Sequence, residues 1–120
     1  MTFDEFQKFI DKQDVFFRSL KKSTTERERI LARTVKLSEE LGELCDEVLA
    51  SLKIQRKSKL ANKDIHSIED EFADVVIVAF LLAKSLHIDA AASLGRKIQK
   101  IQEKYNNELR ADGGLDQGAL

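Results

Sequence analysis

Proline and tryptophan are absent from this 120-residue sequence, and glycine occurs only five times, three of them in the last eight residues. Almost nothing therefore interrupts helix formation before the tail, and an all-α fold follows. The single cysteine, Cys45, excludes an internal disulfide and supplies no metal-ligand spacing; it fits a reducing compartment and a small core position. An excess of one charge sign is missing too. With 20 basic and 21 acidic residues the net charge is −1, which excludes the bulk attraction that a general nucleic-acid binder needs. The longest apolar run, Val75 to Ala83, is too short to span a bilayer, and Met1-Thr-Phe-Asp-Glu-Phe6 lacks the basic and then apolar regions of a signal peptide. These absences point to a soluble, cytoplasmic protein with no nucleic-acid and no membrane partner. At 42% hydrophobic and 34% charged, the chain suits one compact domain over residues 1–110, with a mobile tail over 111–120.

What is present is organised around Lys36 to Leu49. At helical pitch Glu40, Glu43 and Glu47 fall on one strip, and Leu37, Leu41, Leu44 and Val48 on the strip beside it. This sets the acids at the edge of a buried face. A helix with one apolar side ordinarily carries charge on the other, so the acidic strip alone is no site. Glu39 to Glu47 nevertheless holds five acids without a Lys or Arg, and like charges one turn apart repel by a few tenths of a kcal/mol per pair. Gly42, in the middle of this helix, costs roughly 1 kcal/mol relative to Ala and suggests close approach of another backbone or a ligand.

Along the chain, Phe3, Phe6, Ile10, Phe17 and Leu20 mark an amphipathic helix over residues 2–21, widened by Phe9 and Phe16. Most of these rings read as core, with Phe17 or Phe16 available to stack on a base. Thr25 with Glu28 forms a capping-box pattern for a second helix from about 26 to about 55, whose other apolar strip is Leu31, Val35, Cys45 and Leu49. So broad an apolar circumference needs more than one neighbour, a second subunit among them. Residues 56–66 read as a basic loop. Ser67 is the expected N-cap of a third helix, in which Glu71 and Asp74 share a strip just before nine apolar residues. Asp74 is expected to be buried there, and a buried ionised carboxylate demands a cation, a proton or a metal. Asp89 caps a fourth helix from about 90 to 110, with Leu94, Ile98, Ile101, Tyr105 and Leu109 as its core stripe and Lys97, Lys100 and Lys104 beside them.

Four helices with short connections favour a four-helix bundle that builds its site from inward-facing side chains. Setting Glu40 and Glu43 opposite Glu71 and Asp74 gathers four carboxylates around one space. A hard divalent cation, Mg²⁺ or Mn²⁺, makes that crowding tolerable. A di-iron bundle is disfavoured, because neither His66 nor His87 follows a Glu by three residues. No glycine-rich phosphate loop of the Walker type is present, so phosphates must be bound by metal and lysines.

Glu39-Glu40-Leu-Gly-Glu43, followed by Glu71-Phe-Ala-Asp74, resembles the EExxE and ExxD pair of the all-α nucleoside triphosphate pyrophosphohydrolases, the MazG-like superfamily. The resemblance implies Mg²⁺-dependent cleavage of a nucleoside or deoxynucleoside triphosphate substrate between the α and β phosphates, in a house-cleaning role. It implies that Glu40, Glu43, Glu71 and Asp74 bind metal, with Glu39 as a supporting acid, and that the protein is a homodimer or homotetramer whose neighbouring chain helps complete the pocket. Lys97, Lys100 and Lys104 resemble the family's phosphate contacts. The aromatic and histidine signature of the dCTP-directed branch is absent between residues 17 and 35, which leaves the base preference open. The competing expectation is a non-catalytic helical interaction module whose acidic strips serve solubility or partner choice.

Overall fold

The computed structural model describes residues 1–52 and 65–111. Among these residues there are four helices and no strand: α1 (Phe3–Leu20), α2 (Glu26–Ser51), α3 (Ile65–Ser85) and α4 (Ala90–Ala111). Most of the expected basic loop and the whole 112–120 tail lie outside the described residues. Among the described residues, no single helix is long and apolar enough to cross a membrane.

Capping chemistry fixes the helix starts. Thr2 and Thr25 each accept a hydrogen bond from the backbone N–H three residues on, and Glu5 and Glu28 return the bond to the cap. Asp89 Oδ1 accepts from the Ala92 N–H at 3.0 Å and opens α4. Ser67 does not act as expected: α3 already runs from Ile65, which puts Ser67 inside the helix. At the other end of α3, His87 takes a left-handed backbone conformation (φ 55°), which ends the helix.

The chain divides into two units, Met1–Ile88 and Asp89–Leu120. In the first, α3 packs chiefly on α2 and also on α1. Its apolar core is small: Phe6, Ile10 and Leu81, with Val76, Ile77 and Phe80 packed against them. The Phe6 and Phe80 rings meet edge to face at 4.8 Å between centroids. A polar cluster supplements this core. Arg33 Nη1 donates to Asp14 Oδ1 at 2.7 Å, to the Leu81 carbonyl at 2.9 Å and to Ser85 Oγ at 2.5 Å, and so ties all three helices together. In the second unit α4 has no buried residue.

Several expectations about burial are corrected here. Phe6 is buried, but Phe3, Phe9, Phe16 and Phe17 are exposed, because the face of α1 turned to its neighbours is the one carrying Phe6, Ile10 and Asp14. Cys45 is exposed rather than a core residue. Helix α3 is half-buried along its apolar run rather than enclosed on every side, and Asp74 is exposed. A Cβ at Gly42 would meet nothing within 4 Å, so among the described residues no other helix approaches it. Of the expected stripe on α4, Leu94, Ile98 and Ile101 are exposed and Tyr105 and Leu109 half-buried, since the stripe of an amphipathic helix is covered only where another surface meets it.

Candidate active site

Helix α2 turns an unexpected strip inward. Its buried residues are Arg33, Glu40, Glu47 and Ala50, the first three spaced by seven, while Leu31, Val35, Leu41, Val48 and Leu49 are exposed. The acids do not merely flank a buried apolar face; two of them stand in it. Seven-residue spacing is two helical turns, so Arg33, Glu40 and Glu47 line up along the seam with the rest of the unit.

Helix α3 brings Glu71 to that seam. One carboxylate oxygen each of Glu40, Glu43 and Glu71 lies within 4.8 Å of the others. Glu40 is buried, Glu71 half-buried and Glu43 exposed. The Oε2 atoms of Glu40 and Glu71 are buried and accept no hydrogen bond from the protein. Burial, then the charge of Glu43 and the contacts with Glu43 and Glu40, pushes the Glu71 carboxyl from 4.5 up to about 7. A group of oxygen-only ligands, two of them with a buried oxygen that has no donor, could hold a hard divalent cation. Asp74 is not one of the three converging acids. Glu39, turned away as its register demands, sits 3.5 Å from Lys36 and is 54% exposed.

Glu40 also belongs to the wall of a cavity of about 530 Å³, along with Asp74. Apolar side chains, among them Phe17, Leu20, Ile77, Val78 and Leu81, make up much of the lining. Four cationic residues complete it: Lys21, Arg29, Arg33 and Lys36. Lys36 Nζ lies 3.1 Å from Glu40 Oε1, and that hydrogen bond, with the charges of Glu39 and Glu40, holds the ammonium above the usual lysine range. Cavity volumes of this order accommodate a drug-sized ligand. The arrangement therefore offers acids at one side, cations beside them, and an apolar wall carrying an aromatic ring.

The MazG-like family matches residues 31–112, more than half of the chain. The chain belongs to the MazG-like family. The uncharacterized protein YpjD of Bacillus subtilis (strain 168) is 40% identical over 76 residues, which cover 63% of each chain. No solved structure matched. This MazG-like chain carries the acidic pair of motifs on α2 and α3, and three of the four expected metal ligands converge. Asp74 instead faces the cavity wall, one turn beyond Glu71. Phe17 lines the cavity, whereas Lys97, Lys100 and Lys104 are exposed on α4 in the second unit. Arg33 and Lys36 were missed in the sequence although a signal exists. They stand seven and four residues before Glu40, at helical spacing along the acidic strip, so the strip is basic in its first half and acidic in its second.

Proposed function

We propose that this MazG-like protein is a Mg²⁺-dependent nucleotide pyrophosphohydrolase that cleaves nucleoside or deoxynucleoside triphosphates to the monophosphate and pyrophosphate, in a house-cleaning role. The observation that carries this reading is the convergence of Glu40, Glu43 and Glu71, with buried unpaired oxygens, at the edge of a cavity walled by Arg33, Lys36 and Phe17.

Each residue has a part that follows from its surroundings. Glu40, Glu43 and Glu71 would hold the cation, Mg²⁺ or Mn²⁺. The chemistry contributed by that cation when bound is neutralisation of phosphate charge and activation of water. With its carboxyl pushed up to about 7, Glu71 is only partly ionised near neutral pH in the metal-free protein and must lose its remaining proton to serve as a ligand. Asp74, on the cavity wall one turn beyond Glu71, is the fourth acid of the set, and Glu39 supports Glu40 from outside. The wall cations suit the polyphosphate, and Phe17 with the apolar wall suits the base. Lys97, Lys100 and Lys104, exposed on α4, remain candidate phosphate contacts. A homodimer or homotetramer would cover the exposed apolar residues of α2.

The test is a panel of nucleoside triphosphates incubated with and without Mg²⁺. Pyrophosphate released only with the metal is the expected result. Orthophosphate in its place would move the cleavage position, and no metal response would favour the non-catalytic interaction module.

A further inference from the structure

Four cationic residues stand in the cavity wall, and they are not equivalent. Arg33 is 9% exposed at its side chain and spends Nη1 on Asp14, Leu81 and Ser85, so it is fixed in place. Arg29 donates to the Thr24 carbonyl at 3.3 Å. Lys36 differs from both: its side chain is 51% exposed, and the partners of its ammonium are the carboxylates of Glu40 and Glu39 at the edge of the acid cluster. The Glu40 side chain is only 9% exposed, and while its Oε1 accepts from Lys36 its Oε2 is left without a donor. One buried carboxylate thus belongs both to the acid cluster and to the ion pair with an exposed lysine of the cavity wall.

Resting on the pyrophosphohydrolase reading, we propose that Lys36 is an internal counter-charge that is handed from Glu40 to the substrate's polyphosphate. Without metal, the ammonium offsets part of the repulsion among Glu40, Glu43 and Glu71. When Glu40, Glu43 and Glu71 hold a dication, its charge would offset theirs more fully than Lys36 does, and Lys36 would be repelled from Glu40. The lysine stem is flexible and its rotamers cost little to change, so the ammonium can turn to a phosphate oxygen entering the cavity. Lys36 then has opposite effects on the two ligands. It competes with the metal for Glu40, and it attracts the nucleotide.

Opposite signs make the test sharp. Lys36→Met in the full chain is titrated with Mn²⁺ alone by calorimetry, without nucleotide, and its KM for a triphosphate is then measured at saturating Mg²⁺. Affinity for Mn²⁺ is expected to rise by about three- to tenfold as the competing charge is lost, and KM to rise by about tenfold or more. Lys36→Arg, which keeps the charge, should restore Mn²⁺ affinity to near the wild-type value and recover part of KM. Unchanged or weakened Mn²⁺ binding in Lys36→Met overturns the proposal, and so does an unchanged KM. A wild-type protein that binds Mn²⁺ but cleaves no triphosphate would instead overturn the functional reading, which the two-variant comparison of metal affinity does not depend on.

Discussion

Arg33 shows how a single residue can join stability to the site. Its guanidinium is buried with Asp14, and Asp14 Oδ2 is held in addition by Arg18 at 2.8 Å. Removing one member of such a pair strands the other charge in a poorly solvated place. Asp14→Ala is therefore expected to cost about 3–5 kcal/mol in urea unfolding. Lys84 and Asp11, paired at 2.8 Å but about half exposed, should contribute no more than about 1 kcal/mol, and a cost in Asp11→Ala equal to that in Asp14→Ala would contradict this ranking. Glu71 makes the complementary case, a carboxyl whose neutral form burial favours. Its carboxyl binds a proton more tightly folded, at about 7, than unfolded, at 4.5. That stabilisation is complete below pH 4.5 and is lost as pH rises through 7, so the metal-free protein should melt at progressively lower temperature across this window. Glu71→Gln should flatten the slope; a wild-type melting temperature that rises with pH over the same range would refute the assignment.

At the scale of elements, local chemistry was readable and burial was not. Thr25 with Glu28 and Asp89 with Ala92 mark the helix starts because capping depends on residues three apart in the chain. Thr25→Ala should accordingly destabilise by about 1 kcal/mol, measurable as a shift in the urea midpoint, and no shift would mean that α2 is set entirely by packing. The inward strip of α2 is another matter. Periodicity identifies the apolar strips through Leu41 and Val35, yet the buried strip is Arg33, Glu40 and Glu47, where Arg33 meets α1 and α3 and Glu40 meets Glu71 of α3. A sequence pattern gives the faces of a helix, not which face a given neighbour takes. The same limit explains why Asp74 looked buried: the apolar run after it is covered only in part. Of the two acidic motifs, Glu40, Glu43 and Glu71 come together as their helical register allows, whereas Asp74 of the ExxD motif lines the cavity instead.

For the whole molecule, the all-helical class, the order of four helices and membership of the MazG-like family were all legible, since the absence of proline and the paired acidic motifs act over the entire chain. The assembly was legible only as an expectation. Leu31, Val35, Leu41, Val48 and Leu49 on α2 are each more than a third exposed, and the proposed homodimer or homotetramer would cover that apolar surface. Sedimentation equilibrium should return a mass of two or four times 13.6 kDa, and a monomer at micromolar concentration would remove the subunit contact from the account. The central claim, that Glu40, Glu43 and Glu71 hold one divalent cation, is tested most directly by the loss of free Mn²⁺ signal in electron paramagnetic resonance. Wild-type protein should take up Mn²⁺, while Glu43→Gln and Glu71→Gln, with helix content unchanged by circular dichroism, should bind it at least about tenfold more weakly. Equal uptake by all three proteins, or none by the wild type, would contradict it.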